Sequence, residues 1–241
     1  MFRSSVIWCG FYVLTCFFVS NKVEAQNARG SGQLWLAGEV KYNTESNFVL
    51  KGQLEYQSEY DSENNWDSWI LTAGTDYLLI PTLVLNGEFK VISTDENDTL
   101  SRTELRPVLG AKLDIFNRGR VVFDNQLKLE WRQLYFSSPE LNSGSLRVRD
   151  RLRMTVALTQ KNPSMNKSLN LLIWTEAFFV KEDKEKERFS NRVRFVCGLS
   201  YRLSNQWKIA MTYYRQRSRN QIGESFESRE NVLRLKATCY L

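Results

Sequence analysis

The chain has 241 residues, with 33 Lys and Arg against 27 Asp and Glu, no histidine, and a formal net charge of +6. The missing histidine excludes Ser-His hydrolysis and His-based metal centres. The basic balance does not mark a nucleic-acid binder, because the cations alternate within strand-like segments instead of gathering beside a recognised nucleic-acid motif.

The N-terminus carries Arg3, an apolar run from Val6 to Val19, and then Val23-Glu24-Ala25, with small or apolar residues at the two cleavage-determining positions. This is the plan of a secretory signal peptide over residues 1–25, with Gln26 as the first mature residue. The run is short for a membrane-spanning helix, and Thr15 and Phe17 flank Cys16 poorly for lipidation. Loss of Arg3, Lys22 and Glu24 takes the net charge from +6 to +5. Residues 26–241 suit one barrel or sandwich domain. The two cysteines that remain, Cys197 and Cys239, fall on apolar strand faces, which favours free buried or lipid-facing thiols over a disulfide.

Period-two alternation marks eleven strand candidates. They are Gln33–Tyr42, Asn47–Tyr60, Asp67–Leu79, Leu83–Ile92, Ser101–Ile115, Val121–Phe136, Leu146–Gln160, Ser168–Val180, Phe189–Leu203, Trp207–Arg217 and Ser228–Leu241. Most exceed the usual strand of about five or six residues in soluble sheets. They suit the roughly nine to eleven residues with which a tilted strand crosses a bilayer. Short turns follow the odd-numbered strands at Asn43–Ser46, Ile80–Thr82, Asn117–Arg120 and Ser204–Gln206, and Lys161–Lys167 is intermediate. Longer polar loops follow the even-numbered strands at Asp61–Trp66, Ser93–Leu100, Ser137–Ser145, Lys181–Arg188 and Ser218–Glu227. Short periplasmic turns and longer external loops characterise outer-membrane barrels, whose strand number in bacteria is even. The expectation is therefore an all-β, antiparallel transmembrane β-barrel of ten to twelve strands, with one strand of the eleven split wrongly or an unusual pairing at the N-terminal segment.

The alternation is sharpest in the seventh strand. Odd positions carry Arg147, Arg149, Arg151 and Arg153, while even positions carry Leu146, Val148, Leu152, Met154, Val156 and Leu158, with Asp150 the exception. The last strand is apolar at Leu233, Leu235, Ala237, Cys239 and Leu241, in the manner of a C-terminal assembly signal, although Leu stands in place of the usual terminal Phe. Aromatic residues on the apolar faces gather at both strand ends. Tyr42, Phe48, Tyr77, Tyr201 and Trp207 lie near the short turns, and Tyr56, Trp69, Phe89, Tyr135, Phe179, Phe189 and Tyr213 near the long loops. Two aromatic girdles bound the apolar band of a membrane barrel. A secreted soluble sandwich would alternate in the same way with inside and outside exchanged. Strand length, loop asymmetry and paired girdles favour the membrane. Pro107 calls for a bulge, since a closed barrel has no edge to hide a missing donor.

Leu34-Trp35-Leu36 opens the mature domain, strands of the form Gln53-Leu54-Glu55-Tyr56 follow, and the chain closes on an Arg-bearing strand. In these features it resembles the uncharacterised Bacteroidota outer-membrane β-barrel family known as domain of unknown function 2490, over nearly all of the mature chain. The resemblance implies a barrel in the cell outer membrane of a Gram-negative bacterium. It supplies no catalytic residues.

By parity the lumen receives nineteen cations and eleven anions, an excess of eight positive charges. The cations include Arg132, Arg147, Arg149, Arg151, Arg153, Arg192, Arg194 and the turn residue Arg120, and the anions include Glu130 and Glu176. In a narrow barrel, long Arg and Glu side chains can fill the interior with paired charges. The first expectation is thus a non-enzymatic barrel with a largely filled lumen and a structural or partner-binding role. The alternative is a small anion-preferring porin or anion-binding transporter, in which unpaired arginines attract carboxylates or phosphates. A barrel enzyme is the third reading, because nothing singles out a carboxylate pair for acid–base work. No cofactor or metal is expected. The expected partners are membrane lipid and lipopolysaccharide, the barrel-assembly machinery and a small anionic solute, with no nucleic acid.

Overall fold

A computed structural model describes residues 31–60, 66–96, 100–137, 142–180, 191–219 and 228–241. The signal peptide expected at 1–25 and most of the long loops expected after even-numbered strands lie outside the described residues. The described residues form eleven strands. They are β1 (Ser31–Asn43), β2 (Phe48–Tyr60), β3 (Trp66–Ile80), β4 (Leu83–Glu96), β5 (Leu100–Arg118), β6 (Val121–Phe136), β7 (Ser143–Ala157), β8 (Ser168–Val180), β9 (Asn191–Arg202), β10 (Trp207–Arg219) and β11 (Ser228–Tyr240). Each strand pairs antiparallel with the next, and the sheet closes into a barrel where β1 meets β11. With an odd number of strands, β1 and β11 run the same way, and the closing seam is parallel from Ser31↔Glu230 to Lys41↔Tyr240. The count of eleven therefore stands without a missing or split strand, against the even number usual in bacterial barrels. The chain end helps to pin the seam: Leu241 N donates to Lys41 O at 2.8 Å, and Asn43 N to Leu241 O at 3.1 Å.

The outward face is apolar, as the alternation requires. Leu36, Leu54, Leu71, Leu109, Leu129, Leu152, Leu199 and Leu235 are all exposed on the outer wall. Two aromatic belts ring it. Phe48 and Tyr77 meet at 4.7 Å between centroids near the short turns, and Tyr56 and Trp69 at 4.9 Å near the opposite end. Neighbouring-strand aromatics at such spacing stabilise the pairing and sit at the two interfaces of a transmembrane barrel. Cys197 and Cys239 are free thiols on this outer face. Asp150 also faces outward, and Asn125 Nδ2 donates to its Oδ1 at 2.7 Å, which replaces the water a carboxylate loses on an apolar wall.

Two expectations are corrected. No bulge forms at Pro107. Phe89 pairs directly with Pro107, and the β5–β6 ladder omits Arg106 and Pro107 and resumes in the same register at Val108↔Glu130. The missing N–H removes rungs without shifting the strand. The β5 irregularity lies between Asp114 and Phe116 instead. Arg120, assigned to the lumen by parity, sits exposed in the β5–β6 turn beside Gly119, whose φ of 56° breaks the alternation.

Gly198 on β9 faces the interior where the backbones crowd. A Cβ there would lie 2.3 Å from Met211 O and 2.7 Å from Thr212 Cα, whereas one at Gly52 would meet nothing within 4 Å. Gly198→Val should lower the unfolding free energy of the refolded barrel by about 1–3 kcal/mol, the range for overpacked sites, while Gly52→Val leaves it nearly unchanged. Urea unfolding followed by heat-modifiable gel mobility measures the difference, and equal midpoints would refute the close approach.

Candidate functional site

The inward positions of β7 carry the four arginines, with successive Cα atoms on that face about 6.6–6.8 Å apart. Their neighbours on β6, in register, are Glu130 opposite Arg147, Lys128 opposite Arg149, Gln126 opposite Arg151 and Asp124 opposite Arg153. The four cations therefore meet four different environments. Arg147 donates through Nε at 2.9 Å and Nη2 at 2.5 Å to Glu130 Oε2. Arg149 Nε lies 3.2 Å from Glu130 Oε1. Arg151 donates to the Gln126 amide oxygen, not to a carboxylate, and its Nε has no partner. Arg153 donates from Nε to Asp124 Oδ2 at 2.9 Å.

Glu130 is the centre of this group, with its side chain 0 % exposed. Arg106 Nη1 approaches it from β5 at 3.8 Å. Arg132 turns away to Glu104, which accepts from Nε at 2.8 Å and Nη2 at 3.0 Å in a two-pronged pairing. Arg106 Nε also donates to Glu104 at 2.6 Å, so two carboxylates and four guanidiniums form one connected network. A second node is Glu88, which accepts Lys128 at 2.7 Å and Lys51 and Lys90 at 3.3 Å each.

Glu176 on β8 lies in register between Arg151 on β7 and Arg194 on β9. Arg194 Nη1 is 3.5 Å from Glu176 Oε2, and its Nε donates to Gln216 Oε1 at 2.7 Å. Arg192 Nη1 reaches the same amide oxygen at 3.4 Å. Gln216 then donates to Glu230, which also accepts Gln33 Nε2 at 3.0 Å, and Gln33 Oε1 accepts Trp35 Nε1 at 3.2 Å. This relay spans the parallel seam, tying β9 and β10 to β11 and β1. The arginines of β7 and β9 do not simply face each other across the lumen. They flank β8, where the buried Phe178 ring receives Arg147 at 5.0 Å, Arg149 at 5.7 Å and Arg194 at 4.8 Å from its centroid. Aromatic faces attract guanidinium planes most strongly where water is displaced.

The sequence reading missed the apolar part of the interior. Trp35, Leu172, Trp174, Val196, Tyr214 and Val232 are buried together on the inner wall of β1 and β8–β11. Tyr214 packs at 5.3 Å on Trp35 and edge-on at 5.7 Å on Trp174. A signal existed in β8, whose Leu171-Leu172-Ile173-Trp174 and Phe178-Phe179-Val180 are apolar at both parities, the mark of a strand buried on both faces. The interior thus carries an apolar patch on β1 and β8–β11 beside ion pairs such as Arg194–Glu176 and Arg234–Glu55 that involve the same strands. Among the described residues, no group of three or more His, Cys, Asp or Glu is placed to hold a metal ion.

A solved structure described as "NanC porin structure in rhombohedral crystal form" is similar in fold, with a TM-score of 0.52 at 10 % identity, over 88 % of this chain and 99 % of that one. The shared architecture is a transmembrane β-barrel. No curated protein matches the chain. Residues 32–227 match the family described as "Protein of unknown function (DUF2490)", and the chain belongs to that family.

Proposed function

We propose that the protein is a non-enzymatic barrel of the bacterial outer membrane whose lumen is closed by its own Arg/Glu network, and that it serves a structural or partner-binding role. The observation that carries this reading is Glu130. A carboxylate 0 % exposed, enclosed by Arg147, Arg149 and Arg106, supports an interior filled by side chains at its level. Among the described residues, twenty polar or charged ones are buried, a number that suits a filled interior better than an aqueous pore. The outer-membrane location is supported by the apolar outer wall, its two aromatic belts and the export signal read at the N-terminus.

A second reading, an anion-preferring passage, is favoured by one observation. Arg151 takes an amide instead of a carboxylate as its hydrogen-bond partner, which leaves positive charge available to a solute.

Single-barrel recordings in planar bilayers test both. The closed lumen predicts negligible conductance of the purified mature protein. A large stable conductance of either selectivity would defeat it, and a reversal potential showing cation preference would defeat the anion passage. Fractionation tests the location. The mature protein should sediment with outer membranes and show heat-modifiable mobility, and its recovery as soluble periplasmic protein would overturn the membrane reading.

A further inference from the structure

The outer wall carries Asp150 with its partner Asn125 near mid-strand, and one margin carries two arginines. Along the outward face of β10 run Trp207, Ile209, Met211 and Tyr213, followed by Arg215 and Arg217. Arg215 stands opposite Phe195 on β9, and Arg217 opposite Val193. These four side chains line a groove of about 210 Å³ on the outside of the barrel. Its β9 floor is apolar and exposed, and its β10 side carries two guanidiniums on alternate residues, spaced about 6.6–6.8 Å.

Position decides what such a groove meets. Tyr213 belongs to the aromatic belt at the long-loop end, and its hydroxyl donates to Asn231 Oδ1 at 2.7 Å. Arg215 and Arg217 lie two and four residues beyond it, or roughly 5 and 10 Å above the belt for strands tilted about 45°. That is headgroup level, where a lipid-facing arginine is tolerated, whereas at mid-bilayer it is costly. At the same end of the barrel, the outer face of β3 and β4 instead carries Asp67 opposite Asp95. Among the described residues, the outward charge at this end is therefore positive on β10 and negative on β3 and β4.

We infer that this groove binds the phosphorylated headgroup of a glycolipid of the outer leaflet, with phosphate oxygens held by Arg215 and Arg217 and the apolar face of the headgroup sugar packed on Phe195 and Val193 at the same level. The inference rests on the proposed outer-membrane location. A planar guanidinium offers parallel N–H donors that match phosphate oxygens, and two on alternate residues can hold one phosphate from two sides. The apolar floor selects an amphipathic ligand over a free ion.

The test uses the full mature barrel, refolded in detergent, and native mass spectrometry. Lipid A with its phosphates and chemically dephosphorylated lipid A are the probes. Wild type should retain the phosphorylated form about tenfold or more over the dephosphorylated one, the effect of one or two charge-assisted hydrogen bonds. Arg215→Gln/Arg217→Gln should lose that preference, while Arg215→Lys/Arg217→Lys keeps part of it. Inorganic phosphate at millimolar concentration should not displace the lipid. Equal retention by the Gln double variant, equal binding of the dephosphorylated lipid, or displacement by inorganic phosphate would each overturn the proposal. Heat-modifiable mobility shared by all variants shows that they are folded. If wild type fractionates with outer membranes yet shows no phosphate preference, the groove proposal alone fails. If wild type is absent from outer membranes, the location reading fails and the groove proposal falls with it.

Discussion

Glu130→Ala should be among the most damaging single substitutions in this barrel, lowering the unfolding free energy by about 3–5 kcal/mol, the usual cost of breaking a buried ion pair from one side. The geometry gives the reason. Arg147 donates twice to Glu130 Oε2, Arg149 Nε lies 3.2 Å from Oε1, and Arg106 Nη1 is 3.8 Å from Oε2. Removing the carboxylate leaves three guanidiniums in a confined region of reduced dielectric, where their repulsion is poorly screened. Arg106 retains Glu104 at 2.6 Å, but Arg147 loses both of its hydrogen bonds to Glu130 and keeps the Phe178 face at 5.0 Å. Glu130→Gln preserves volume and one acceptor, so it should fall between wild type and Glu130→Ala. Glu45→Ala, at an exposed residue in the β1–β2 turn, should stay within about 0.5 kcal/mol of wild type. Urea midpoints of the refolded proteins in detergent decide the matter. An unchanged midpoint for Glu130→Ala would mean that water or a bound anion already balances the arginines, and the filled-lumen reading would lose its main support.

Much of the wall was legible because a period of two fixes the face of every residue once a strand is recognised. The bounds of β6 and β8 agree with the alternation, and the outward set Leu152, Leu235, Tyr42 and Trp207 follows from it. The seam was not legible. No local pattern in Ser31–Asn43 or Ser228–Tyr240 announces a parallel partner about two hundred residues away; the pairing follows from the strand count and the need to close the sheet. Ion-pair partners were equally hidden. Arg132 donates to Glu104, which lies diagonally across on β5, because the β5–β6 register sets Glu104 opposite Leu134 two residues further along the same face. The apolar patch of the lumen escaped because inward positions were read as polar, yet Trp35 has its indole N–H satisfied by Gln33 and its ring packed on Tyr214. Arg120 escaped for a simpler reason, since parity has no meaning in a turn.

Leu152→Arg and Arg151→Leu, adjacent changes on opposite faces of β7, should differ widely in their effect. Leu152 is 38 % exposed on the outer wall, opposite Asn125 on β6 and Thr175 on β8, near the middle of β7. An arginine on the lipid face at the bilayer midplane costs about 2–4 kcal/mol. Arg151 points inward and donates to the Gln126 amide oxygen, so Arg151→Leu removes one cation from a surplus and leaves one acceptor short, a loss of about 1–3 kcal/mol at most. One neighbour complicates the first change. Asp150 lies two residues away on the same outer face, and a new arginine at 152 can reach it and recover part of the cost as an ion pair. The informative comparison is therefore made in an Asp150→Leu background. There, Leu152→Arg should show its full penalty, with less protein assembled in the membrane fraction and a lower urea midpoint. Asp150→Leu alone should raise the midpoint, since it removes a carboxylate from an apolar wall. If Leu152→Arg and Arg151→Leu were tolerated equally in both backgrounds, the assignment of faces on β7 would be wrong, and with it the placing of the arginine ladder inside the barrel.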